Sequence, residues 1–95
     1  MAKYKLTNEA KSDLIRIHHY GVNKFGMTQA DKYFNSFFKS FDNIAQRPFS
    51  YELVDFIKPG FIRCVSGSDS IYFKVNGDTV EIISIIGRQD LNNII

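Results

Sequence analysis

Apolar and polar residues alternate along this chain in two distinct periods, and the change of period marks its elements. Tyr4 and Leu6 alternate with Lys3 and Lys5, the period-two pattern of a short half-buried strand. Thr7 or Asn8 then offers a side-chain oxygen to a free N–H at the start of a helix, which should run to about Phe25. Leu14, Ile17, Gly21 and Phe25 form one stripe of that helix, and Ile15 with Val22 forms a second beside it. So wide an apolar surface predicts cover on two sides, one from a sheet and the other from the next helix or from a partner. Gly26 fits the helix C-terminus, and Thr28-Gln29-Ala30-Asp31 resembles a capping box with Asp in place of the usual Glu. The second helix has the cleanest pattern in the chain. Ala30, Tyr33, Phe34, Phe37, Phe38, Phe41, Ile44 and Ala45 follow the 3/4 spacing of one face, and Arg47-Pro48 ends it.

Period two returns in the second half. The stretch from Pro48 to Gly60 is irregular, with Pro59-Gly60 as a turn signal. Phe61 to Ser66 reads as a strand, and Ile71, Phe73 and Val75 alternating with Ser70, Tyr72 and Lys74 read as the next. Asn76-Gly77-Asp78 is a hairpin turn. The last strand, Thr79 to Ile86, is apolar on both faces and so reads as central or covered. The predicted order is β-α-α-β-β-β, an α+β fold in which an antiparallel helix pair packs on a small, mainly antiparallel sheet. Residues 1–95 are expected to form a single domain.

Composition sharpens this picture. A chain of this size buries only roughly 60–65% of its unfolded surface; nine Phe and five Tyr are expected to supply most of its core. Cys64 stands alone, so no internal disulfide forms, and it reads as a small buried hydrophobe. The N-terminus lacks the apolar stretch of a signal peptide, and no apolar run nears the ~18 residues of a membrane span. A cytoplasmic location without membrane contact is the expectation. The net charge of +2 is unevenly spread: residues 1–47 carry 8 Lys/Arg against 4 Asp/Glu, and residues 48–95 carry 4 against 6. The second half is no general phosphate cradle, which argues against direct sequence-specific nucleic-acid binding. No cofactor or metal is expected.

Six strings in order, each unspecific alone, resemble the RelE/ParE toxin superfamily, and its ParE branch in particular. "YKLTNEAKSDLIRI" is similar to the opening of ParE-type toxins, and "FGMTQADKYFNSF" to the junction of their two helices. "IAQRPF", "IKPGF", "DSIYFKV" and "IIGRQD" resemble the end of the second helix, the approach to the second strand, the third strand and the end of the last. The likeness covers about residues 3–92. Two positions depart from it. Gly60-Phe61-Ile62-Arg63 stands where Gly-Tyr-Arg-Arg is usual, and Gly87 precedes Arg88 where a histidine is frequent. A missing arginine at position 62 reads as a loss on a contact face, and restoring it is expected to raise toxicity.

The resemblance implies two classes of activity: RelE-type toxins cut messenger RNA on the ribosome, whereas ParE-type toxins bind DNA gyrase and block replication. RNA cleavage needs a base, an acid and cations around the phosphate. Here the second half offers only Lys58, Arg63, Lys74 and Arg88 as cations and no histidine. His18 and His19 project about 100° apart from the first helix and cannot share a site. Glu52 reads as a solvated loop carboxylate, and Tyr72 as a packing or partner-contact residue. With the catalytic set incomplete, the non-enzymatic gyrase inhibitor is the favoured reading; the ribosome-dependent endoribonuclease is the alternative. The resemblance further implies a ParD-like antitoxin that docks by helix-in-groove and strand-addition contacts, with Leu14, Ile15, Val22, Arg63 and Tyr72 as candidate residues. For gyrase, through its A subunit, the candidates are Arg63, Arg88, Asp90, Leu91, Ile94 and Ile95. Core packing of the helix stripe, internal pairing of Arg63 or Arg88 with Asp90 or Glu81, and a frayed tail are the structural alternatives. A homodimer of the free toxin is compatible with the same surfaces.

Overall fold

The structure is a computed structural model that describes residues 3–87. β1 (Lys3–Leu6) leads directly into α1 (Asn8–Phe25), and Thr7 is the residue that caps it, its Oγ1 accepting from the Ala10 N–H at 3.1 Å. A single residue then joins the two helices. Gly26 holds φ +90°, a backbone region costly for any residue with a Cβ. Its N–H donates to the Val22 carbonyl, and its own carbonyl accepts from the Ala30 N–H. α2 (Met27–Gln46) therefore starts before Thr28, and no side chain caps it. The expected capping box does not form. Asp31 instead turns to α1, where its Oδ1 lies 2.8 Å from His18 Nε2, and so ties the helices together.

Within the stretch expected to be irregular, a 3-10 turn (Pro48–Ser50) is followed by a two-residue strand, β2 (Glu52–Leu53). Then come β3 (Ile62–Ser66), β4 (Asp69–Asn76) and β5 (Thr79–Gly87). They form a five-stranded mixed sheet in the order β1-β5-β4-β3-β2, with β1 parallel to β5 and every other pair antiparallel. β5 is central, as its apolar character suggested, but its two-faced look has a more specific cause. The β4–β5 register runs from Tyr72↔Ser84 to Phe73↔Ile82, so Ile83 is an extra residue, a bulge that reverses the alternation. Ile82 and Ile85 can then both face the helices, and both are fully buried.

The helices and the sheet enclose Leu14, Ile17, Phe37, Phe41, Ile44, Ile71, Phe73, Val80, Ile82 and Ile85. Aromatics contribute less than composition suggested: Phe37, Phe41 and Phe73 are fully buried, whereas Phe25, Phe49 and Phe56 are exposed, and strand aliphatics fill much of the interior. Ile62 belongs to this core at 4% exposure. Position 62 is thus not on a contact face, and the expectation that arginine there would strengthen toxicity is withdrawn, because the charge would enter an apolar interior. Cys64 is buried as expected, and burial pushes its thiol pKa up.

The far end of the sheet is fastened by Tyr33. Its hydroxyl donates to Asp69 Oδ2 (2.6 Å) and lies 2.9 Å from the Ser66 carbonyl, locking α2 to the β3–β4 turn. Its ring lies so close to Gly67, at φ +61°, that a Cβ there would sit 2.9 Å from it. No helix among the described residues is long and apolar enough to cross a membrane.

Candidate partner-binding site

Side chains that alternate with the core set project from the opposite face of the sheet, where a polar row crosses three strands and their short edge. Glu52 pairs with Arg63, Arg63 with Tyr72, and Tyr72 with Ser84. Residues directly opposite in a sheet lie close enough to interact. Arg63 Nε (3.2 Å) and Nη2 (2.7 Å) both donate to Glu52 Oε1, and that bond is the main cause raising the arginine's pKa, with the nearby Tyr72 phenol a lesser one. Tyr72 itself is 3% exposed, and its hydroxyl, although near Arg63, makes no hydrogen bond of acceptable geometry. Farther along the face Glu81 lies between Lys5 (3.6 Å) and Lys74 (3.9 Å). Among the described residues, Arg63, Lys5 and Lys74 on this surface thus each lie within 4 Å of a carboxylate.

A second surface follows α1. The central strand β5 extends beyond the end of β1, and side chains of this helix region complete its edge. The Thr7 N–H donates to the Ile82 carbonyl, and Thr7 Oγ1 to that of the bulged Ile83 at 2.7 Å. Asp13 Oδ2 accepts from the Ile85 N–H (2.9 Å), and Arg16 Nη2 donates to the Ile85 carbonyl (3.2 Å). On the outer side of the helix Ile15 is 65% exposed, with Val22 half-buried on the same stripe.

Residues 4–91 match the sequence profile of the family described as "ParE toxin of type II toxin-antitoxin system, parDE". The chain belongs to the ParE toxin family. It is 33% identical over 92 residues to Toxin ParE1 of Caulobacter vibrioides, covering 97% of this chain and 94% of that protein. To Toxin ParE1 of Mycobacterium tuberculosis it is 24% identical over 89 residues, covering 93% and 91%. Among solved structures, a chain of the chromosomal ParDE system from P. aeruginosa superposes with a TM-score of 0.81 at 22% identity, covering 92% of this chain and 96% of that one. A chain of the RelBE2 toxin–antitoxin complex from Mycobacterium tuberculosis superposes at 0.66 with 14% identity, covering 92% and 98%, a likeness of fold.

In this ParE-family chain the candidate residues fall into three groups. Ile15 and Val22 share the outer stripe of α1, but Leu14 is 3% exposed and packs in the core, leaving a partner no surface. Arg63 and Tyr72 are brought together on the sheet face opposite the helices, and among the described residues the ion-pair partner of Arg63 is Glu52 rather than Glu81. Arg88, Asp90, Leu91, Ile94 and Ile95 lie outside the described residues. Glu52, expected to be a solvated loop carboxylate, instead lies in β2 and is paired with Arg63; nothing in a two-residue strand signals that it is one. His18 is engaged with Asp31 and with the edge of the Phe34 ring (5.4 Å), on the helix layer and away from the sheet face.

Proposed function

We propose that this protein is a gyrase-directed toxin: it binds DNA gyrase through the A subunit, blocks replication without catalysing a reaction, and is neutralised in the cytoplasm by a ParD-like antitoxin. Membership of the ParE family, matched across residues 4–91, is the observation that carries this reading. The chemistry of the described sheet face opposite the helices supports it. An RNA-cleaving face needs uncommitted cations beside a free acid and base. Here Arg63 is paired with Glu52, Lys5 and Lys74 share Glu81, and the Tyr72 hydroxyl is shielded. Tyr33 is held protonated by burial and then by Asp69, its pKa pushed up to about 12. The exposed stripe of Ile15 with Val22 suits the apolar face of an antitoxin helix.

The test is a supercoiling and cleavage assay with purified gyrase and the antitoxin-free toxin. Lost supercoiling with accumulating linear DNA is the expected outcome. Undisturbed gyrase with folded toxin would discard the reading and turn attention to cleavage of ribosome-bound messenger RNA.

A further inference from the structure

The pair formed by Arg63 and Glu52 is uneven. Arg63 is the anchored member, its side chain 21% exposed and rooted in β3 between β2 and β4; Glu52 is the wet one, 56% exposed on an edge strand only two residues long. The bonding is also incomplete. A guanidinium offers a planar fork that matches both oxygens of a carboxylate, yet Nε and Nη2 here converge on Oε1 alone. Beside them the Tyr72 hydroxyl is shut away from water with no hydrogen-bond partner, an arrangement rare in folded proteins and in want of an acceptor. An anchored cation next to an idle donor is suited to a carboxylate, which accepts through both oxygens and donates nothing.

We propose that Glu52 stands in, within the free toxin, for an acidic side chain of the antitoxin, which replaces it on Arg63 and takes up the hydroxyl of Tyr72 when the complex forms. The proposal rests on the reading that an antitoxin docks on this chain, and the pairing of family members with antitoxins makes that partner the source of the carboxylate. The location fits: Arg63 lies one strand in from the sheet edge, where a segment laid along β2 brings side chains over this face. Glu52 then acts as an internal competitor, and its removal strengthens the complex. A purely structural ion pair would behave in the opposite way.

The experiment is calorimetric titration of the full-length toxin with the antitoxin encoded beside it, comparing wild type with Glu52→Gln, Arg63→Lys, Tyr72→Phe and the double variant Glu52→Gln/Arg63→Lys. Thermal melts of each toxin alone show that it is folded. Glu52→Gln is expected to tighten binding about two- to fivefold, the scale of one exposed ion pair. Arg63→Lys is expected to weaken it about tenfold through loss of the fork, and Tyr72→Phe by roughly threefold. On the Arg63→Lys background Glu52→Gln should give no gain. Unchanged or weaker binding by folded Glu52→Gln would overturn the proposal while leaving the toxin–antitoxin reading intact. No binding by the wild type would remove both. Stronger gyrase inhibition by Glu52→Gln at unchanged antitoxin affinity would also overturn it, by moving the carboxylate to the target.

Discussion

Tyr33 shows how much can depend on one hydroxyl. Its one proton serves the buried Asp69 carboxylate, with the Ser66 carbonyl 2.9 Å away, so Tyr33→Phe leaves a carboxylate oxygen without its donor. A loss of about 1–3 kcal/mol in urea unfolding at neutral pH is expected. Its pH dependence has a definite sign. The folded pKa, about 12, lies above the ordinary 10.0, so the stabilisation is complete below pH 10.0 and declines as pH rises toward about 12. Melting profiles should fall more steeply over that window for wild type than for Tyr33→Phe. Ile62 supplies a contrasting case. With 4% exposure in the core, Ile62→Arg is expected to destabilise the protein by on the order of 3 kcal/mol or more, and the same unfolding measurement reads it.

At the scale of elements, the join between β1 and α1 is also what finishes the central strand. Thr7 both caps α1 and answers the bulge carbonyl of Ile83, and Asp13 takes the Ile85 N–H. Thr7→Ala is expected to cost about 1–2 kcal/mol, the range of a lost N-cap. Asp13→Ala should speed hydrogen exchange at the Ile85 amide more than at Val75, where the β4–β5 register is regular. Both helices and strands β1, β3, β4 and β5 were legible in the sequence, because four or more residues suffice to display a period, most clearly in the run from Ala30 to Ala45. β2 was not, since Glu52 and Leu53 are too few to alternate. The bulge at Ile83 disguised a one-sided strand as a two-sided one. Of the candidate site, Arg63 and Ile15 could be picked out by residue type, but Leu14 could not be told from Ile15 by spacing alone. The partners of Tyr33 and Asp13 lie 36 and 72 positions away, beyond any local pattern.

For the whole molecule, the outer stripe of α1 and the sheet face opposite the helices present two separate kinds of surface, the first with an exposed apolar side chain at Ile15 and the second carrying ion pairs. Ile15→Asp should weaken antitoxin binding by about tenfold or more while leaving stability within about 0.5 kcal/mol, because the side chain contributes little to the fold; titration and melting together check this. The topology has an effect on timing as well. β1, the first strand made, pairs only with β5, through Lys3↔Thr79 to Leu6↔Ile82. Contacts so distant along a chain form late. On the ribosome, Lys3–Leu6 must wait until nearly all of the polypeptide has emerged before it has a neighbour. A nascent or prematurely ended chain that stops before Thr79 lacks β5, the strand that joins β1 to the rest of the sheet. The five-stranded sheet can therefore close only once the residues from Thr79 onward have been made.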